Sequence, residues 1–292
     1  MSTQESTSLN ELVVLTGAST GIGAATAREL AGRGFHVLAG VRRDSDADAL
    51  RAERIEPHIL DITTEADIAA IAERVAHDPE HRPLRALVNN AGIAVNAPVE
   101  VLPMIEWHRQ FDVNLFGHIA MTQAMLPALL DSSGTVVNIS SVGGKVAMAT
   151  YGAYAGAKFA LEAVSDSLRR EVAQSGVKVI IIEPGAVITE MAGRGVATAE
   201  RLAAAMTADQ HRRYDALIGA ITNQARGFAR DGVPAAEAAR IIADAITTKN
   251  PRTRYTIGRD AAVIVRIARL TPDRLLDRIL RRNLKPHYDK AS

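Results

Sequence analysis

The chain has 292 residues, 47% of them apolar and 4% aromatic, with a formal net charge of +1. That supplies a substantial core, and the lack of any cysteine excludes disulfides, thiolate metal sites and a cysteine nucleophile. The opening MSTQESTSLNE lacks the basic start and apolar core of a secretory leader, and no apolar run approaches the ~18 residues of a membrane span, so a cytoplasmic protein is expected.

In chain order, LVVLTGAS (12–19) is a short apolar run ending in turn residues, and GAATARELAGRG (23–34) has a helical period that stops at Gly34. FHVLAGV is strand-like, and Asp44 begins a short helical stretch. PHILDI, RALVNNAG and TVVNISS repeat the apolar run with a polar end, while VKVIIIEPG reads as a strand buried on both faces. Residues 64–77, 99–130 and 152–174 read as helices. Such alternation predicts one α/β domain over 1–292, a doubly wound parallel sheet with helices on both faces. Residues 190–230 are helical without strand signals, and are expected to lie over the carboxyl ends of the strands, where such folds bind ligands. A basic extension, 258–292, closes the chain. From Arg252 to Lys285 there are ten basic and three acidic residues, so the remainder of the chain is net acidic.

TGASTGIG (16–23) follows the first strand and opens the first helix. Gly17, Gly21 and Gly23 let the backbone turn sharply and approach a pyrophosphate, which the free N–H groups of the helix N-terminus would hold; the competing reading is a purely structural turn. At the end of the second strand, where an acidic residue would select NAD, stand Arg42 and Arg43. Two guanidiniums suit a 2′-phosphate, so NADP is expected, with NAD as the alternative and surface solvation as the bland reading.

Other patterns fail. Asp44, Asp46 and Asp48 begin an EF-hand spacing, but Ala49 and Ile55 stand where its Gly and Glu belong. Pro79 breaks any helix that would align His77 with His81, so no metal is expected. Asn138-Ile139-Ser140 matches a glycosylation triplet without a secretory context. No G-x-S-x-G elbow supports a serine hydrolase.

YGAYAGAK (151–158) holds two tyrosines and a lysine. On a helix, Tyr154 and Lys158 are four apart and share a face, whereas Tyr151 lies seven before the lysine. A free phenol titrates near ~10, and a nearby ammonium or oxidised nicotinamide would lower it enough for acid–base work at a substrate oxygen.

Taken together, TGASTGIG, NNAG (89–92), Asn114 in FDVNLFG, NISS (138–141), YAGAK (154–158) and PGAVIT (184–189) resemble the short-chain dehydrogenase/reductase family in order and spacing over about 175 residues. The resemblance implies a Rossmann-like domain in which Tyr154 exchanges the proton, Lys158 lowers its pKa and holds the nicotinamide ribose, and Ser141 hydrogen-bonds the substrate oxygen. It also implies that Asn114 holds a relay water, the alternative being a packing residue at a helix kink. The cofactor would rest on Gly17, Ser19, Thr20, Gly21, Ile22, Gly23, Arg42, Asp61, Ile62, Asn90, Ala91, Gly92, Pro184, Gly185, Val187 and Thr189. Two departures stand out: Ala157 where many members have Ser, and Thr20 where NADP-preferring members often carry a base.

GFHVLAGVRR, LDIT and YTIGRDA are similar to the retinol and 17β-hydroxysteroid dehydrogenase-like subgroup, which implies an apolar alcohol or carbonyl. A ketoacyl or polyketide reductase is the runner-up, and a catalytically silent NADP(H) sensor the reading from another class. TPDRLLDRILRRNL reads as a helix capped by Thr271 with Pro272 at N1. Its apolar face (Leu275, Leu276, Ile279, Leu280) either packs on the domain, with Arg274, Arg278, Arg281 and Arg282 solvated, or rests on an anionic membrane. Nucleic acid is not expected, since no aromatics accompany the arginines. The long helices at 99–130 and 152–174 resemble those that pair in family dimers and tetramers, so a homo-oligomer is expected.

Overall fold

The computed structural model describes residues 10–288. Seven parallel strands form one sheet: β1 (Leu12–Leu15), β2 (His36–Val41), β3 (Ile55–Ile59), β4 (Leu84–Asn89), β5 (Thr135–Ile139), β6 (Lys178–Pro184) and, later in the chain, Arg254–Ile257. The order runs β3-β2-β1-β4-β5-β6 and then the last strand. Direction reverses between β1 and β4, which opens a crevice at their carboxyl ends.

The apolar runs become strands because both faces are covered. On one face α1 (Gly21–Gly32) and α2 (Asp44–Leu50) bury Leu30, Ala27 and Leu50 with Phe35 against Val13, Leu15 and Val37. On the other, α3 (Glu65–Ala76) sets Ile68 and Ile71 against Val14, Leu38 and Leu87.

The run expected as one helix over 99–130 is divided. α4 (Met104–Phe111) starts behind Pro103, a π-helical turn follows at Asp112–Phe116, and α5 (Gly117–Ser132) continues past Pro127. A widened turn of this kind has no signature in hydrophobic period. Residues Met104–Ser132 together are long and apolar enough to cross a membrane by length and composition, which corrects the sequence expectation. Here Met121, Met125 and Leu129 are buried beneath the sheet.

α6 (Gly152–Glu171) ends three residues before the expected limit. After β6, the two-residue strands β7 (Val187–Ile188) and β8 (Val233–Pro234) pair across an excursion made of α7 (Glu190–Ala203) and α8 (Ala208–Asp231). α9 (Ala235–Thr247) packs on the α1 face, and Arg254–Ile257 is β9. α10 (Arg259–Leu270) and α11 (Asp273–Leu284) end the described chain; the last residues of the expected extension, 289–292, and the opening residues 1–9 lie outside the description. α11 is capped by Pro272 rather than Thr271, a one-residue shift.

The middle of α6 is fixed by charge. Glu162, buried on α6, accepts Lys145 at 2.6 Å and Arg254 at 3.1 Å. Arg254 also meets Asp166 at 3.0 Å and the buried Glu183 of β6 at 3.4 Å, so one guanidinium ties β9 and β6 to α6. Replacing Arg254 with Met leaves two buried carboxylates short of a partner, and is expected to destabilise the fold by about 3 kcal/mol in urea unfolding.

Candidate active site

The glycine-rich turn is built by close approach. Gly17 and Gly21 have φ of +66° and +56°, and a Cβ on Gly23 would lie 2.1 Å from the Gly17 carbonyl oxygen. Only glycine lets the turn close this tightly. The loop is held from behind: the Asn90 side-chain amide donates to the carbonyls of Thr16 and Gly17 at 3.0 and 2.9 Å, and the Thr16 hydroxyl accepts from the N–H groups of Asn90 and Ala91 at 3.0 Å each. Thr16 opens the TGASTGIG motif, but its role as the acceptor behind the turn was not read from it. The N–H groups at the start of α1 face a cavity of about 980 Å³.

Gly17, Ser19, Thr20, Gly21, Ile22, Gly23, Arg42, Asp61, Ile62, Asn90, Ala91, Gly92, Asn114, Ser141, Tyr154, Lys158, Pro184, Gly185, Val187 and Thr189 all line that cavity. Arg43 does not. It is the N-cap of α2, and its guanidinium pairs with Asp46 at 2.9 Å, a local partner that competes with any ligand. Arg42 alone of the two reaches the cavity. The glycine turn, the helix N-terminus and Arg42 fit a dinucleotide along β1, β2 and β4. Among the described residues no group of three His, Asp or Glu side chains is placed to hold a metal.

On α6, Tyr154 and Lys158 share one face, as the four-residue spacing requires. Gly143 lies so close to the Tyr154 ring that a Cβ there would stand 2.9 Å from Cε1. Ser141 is bonded by the Gly143 N–H at 3.0 Å, and its hydroxyl contact with Tyr154 favours the phenolate. Burial is the larger influence and raises the Tyr154 pKa above its ordinary value. This direction is opposite to the lowering that a nearby ammonium by itself would bring. The nearby lysine does not overcome desolvation, because burial acts on it too: the Lys158 ammonium is pushed down to about 7 against the pull of Glu162. Its Nζ donates to the Ile139 carbonyl at 2.7 Å. Tyr151 meets Tyr154 edge-on, with ring centroids 6.2 Å apart, and burial lifts its own pKa to about 12.

Asn114 sits within the π-helical turn and clasps the backbone of Ile93, accepting from its N–H and donating to its carbonyl, each at 2.9 Å. These two bonds fix the Asn114 side chain to the chain segment that follows β4. One turn on, the buried His118 donates from Nε2 to the Ala91 carbonyl at 2.7 Å. Burial and then Lys158 push its pKa down to about 3, so the ring is neutral. Its spacing of four from Asn114 was the only available signal.

The far side of the cavity is apolar. Ile218 and Ile221 of α8, Ile264 and Ile267 of α10, and Ile279 and Leu280 of α11 line it. Leu284 is buried with Ala220 and Ile221. The apolar face of α11 therefore packs on the domain, while Leu275 stays exposed.

A family model described as short chain dehydrogenase matches residues 11–200. Retinol dehydrogenase 7 of Mus musculus is 36% identical over 285 residues, covering 93% of this chain and 88% of that protein. A crystal structure of a short-chain dehydrogenase from Streptomyces avermitilis superposes with a TM-score of 0.73 at 28% identity, covering 95% of each chain. One from Burkholderia cenocepacia, in complex with NADP, gives a TM-score of 0.72 at 24% identity, covering 93% of this chain and 98% of that one.

Lys158 binds its proton near pH 7 in the fold and near 10.5 when unfolded. Between those values the unfolded chain holds more protons, so stability rises with pH. Lys158→Met is expected to remove about 2 kcal/mol of that rise between pH 7 and 9, read from urea unfolding of the cofactor-free protein.

Proposed function

The chain belongs to the short-chain dehydrogenase/reductase family, whose members are NAD(P)-dependent oxidoreductases acting on CH–OH groups, and from that premise we propose a specific activity. It transfers hydride between NADP(H) and an apolar alcohol or its carbonyl, of steroid or retinoid character, with Tyr154 as acid and base. The observation that carries this reading is the shared cavity: Tyr154, Ser141 and Lys158 stand in it with the glycine turn, and isoleucines of α8 and α10 stand there too.

A bound nicotinamide supplies or accepts the hydride. The chain's own residues manage the oxygen. Ser141 donates a hydrogen bond to the substrate oxygen and orients it beside the phenol. Burial keeps Tyr154 protonated, which suits reduction, where its hydroxyl gives the oxygen a proton. For oxidation the same oxygen must shed a proton to the phenolate, which needs positive charge nearby; Lys158 is the side chain that provides it. Lys158 also stands ready to donate to the nicotinamide ribose. Arg42, at the end of β2, supports NADP over NAD through pairing with the 2′-phosphate. The likeness to a retinol dehydrogenase supports an apolar substrate, and packing of α11 supports a solvated arginine face over a membrane contact.

Helices α4 and α6 and the π-helical turn before α5 leave Ile105, Phe116, Phe159 and Val164 exposed, which supports pairing of copies through this helical face. Light scattering is expected to give a dimer or tetramer, with Phe159→Glu lowering the mass; a wild-type mass of one chain would refute the assembly.

Oxidation of NADPH, followed by its absorbance, is expected with retinal or a ketosteroid. Tyr154→Phe should cost about 10²–10⁴ in kcat. In the same assay Arg42→Ala should raise KM for NADPH at least about tenfold and that for NADH much less. Silence of wild type on these carbonyls, with turnover of a short ketoacyl thioester, would transfer the assignment to the runner-up class.

A further inference from the structure

Gln224 on α8 lines the cavity, is only 7% exposed, and its side-chain amide makes no hydrogen bond to another described residue. A carboxamide carries two donors and an acceptor, and leaving them unpaired in an apolar surround costs stability. The cavity it lines is walled by apolar residues such as Ile221, Ala225, Ile264 and Leu280, with Thr222, Asn283 and His287 in the same lining. Its amide is hydrogen-bonded to none of them. The amide is open to a molecule that enters the cavity.

Its position relative to the reacting oxygen follows from packing. Ala220 and Ile221 pack with Tyr151, which meets Tyr154 edge-on. Gln224 stands about one helical turn further along α8, ~5 Å along the axis. Gln224 therefore lies beyond the α8 residues that pack with Tyr151. The group it reads is neutral: Gln224 has no charge, and Arg230, in the same wall, is already paired with Asp231 at 2.7 Å.

Resting on the proposed apolar-carbonyl activity, we infer that Gln224 is a specificity residue that hydrogen-bonds a second, uncharged oxygen on the substrate, so that the preferred substrates are rigid apolar molecules functionalised at both ends. The amide can donate to an oxo group or accept from a hydroxyl, so either oxidation state at the far end is read. A polyene alcohol with a hydrocarbon ring at its other end leaves the amide unpaired.

The test uses two saturated steroid ketones with NADPH, one bearing a hydroxyl on the opposite terminal ring and one lacking it. Wild type is expected to favour the hydroxylated ketone at least about tenfold in kcat/KM, because the site's amide is left unpaired by the other. In Gln224→Leu the ratio should collapse towards one. Gln224→Met, closer in volume, carries the same measurement if the leucine variant fails to fold, folding being checked by NADPH binding. No preference in wild type, or a preference that survives in both variants while turnover still depends on Tyr154, overturns this inference alone. If wild type binds NADPH yet turns over neither ketone, the underlying steroid-like assignment fails and the inference with it.

Discussion

The Nζ of Lys158 lies 2.7 Å from the Ile139 carbonyl and makes no ion pair among the described residues, although its whole side chain is buried. A cation in that position is costly to hold, and much of the surrounding architecture bears on it. The bond fastens the middle of α6 to the end of β5. Below it, Glu162 turns its carboxylate to Lys145 and Arg254, leaving only a long-range pull on Lys158. Above it, Tyr154 is wedged against Gly143, and His118 is kept neutral partly by the same charge. The site is therefore poised around a proton that the fold holds weakly.

What was legible in the sequence was what depends on local rules. Strands buried on both faces announce themselves as unbroken apolar runs, so β1, β2, β4, β5 and β6 were readable, whereas β3, at the sheet edge, spans Ile55–Ile59 and not the expected run from Pro57 to Ile62. The i,i+4 rule alone separated Tyr154 from Tyr151. The glycine spacing fixed the turn, because no other residue fits a Cβ beside the Gly17 carbonyl. What was not legible arises between elements. The π-helical turn around Asn114 leaves the hydrophobic period intact. Arg42 and Arg43 carry the same charge, and it is the fold that pairs Arg43 with Asp46, three residues on, while Arg42 lines the cavity. The balance of charge and desolvation at Tyr154 needs the depth of the site, which sequence does not carry. β9 was hidden by the arginines and turn residues around it.

The uneven charge of the chain resolves into two populations. Arg254 is drawn inwards by the carboxylates of Glu162, Asp166 and Glu183 and acts as a rivet of the sheet's last strand. The arginines of α11 lie opposite its apolar face, which meets α8 and the cavity. The helix thus carries a partly buried face on one side and exposed arginines on the other.

The pairing of β7 with β8 has a consequence for how such a scaffold diversifies. Val187 and Ile188 meet Val233 and Pro234, so the chain leaves and re-enters the sheet framework through a neck two residues wide. Everything between, α7 and α8, is an insert whose ends are already closed. Lengthening or recomposing a loop with pinned ends adds little closure entropy, since that term grows only logarithmically. Apart from Thr189, the N-cap of α7, the glycine turn and the Ser141, Tyr154 and Lys158 cluster lie outside the neck. Selection can therefore trade one insert for another, as an exchangeable cassette, and acquire a new substrate without renegotiating the chemistry beneath it.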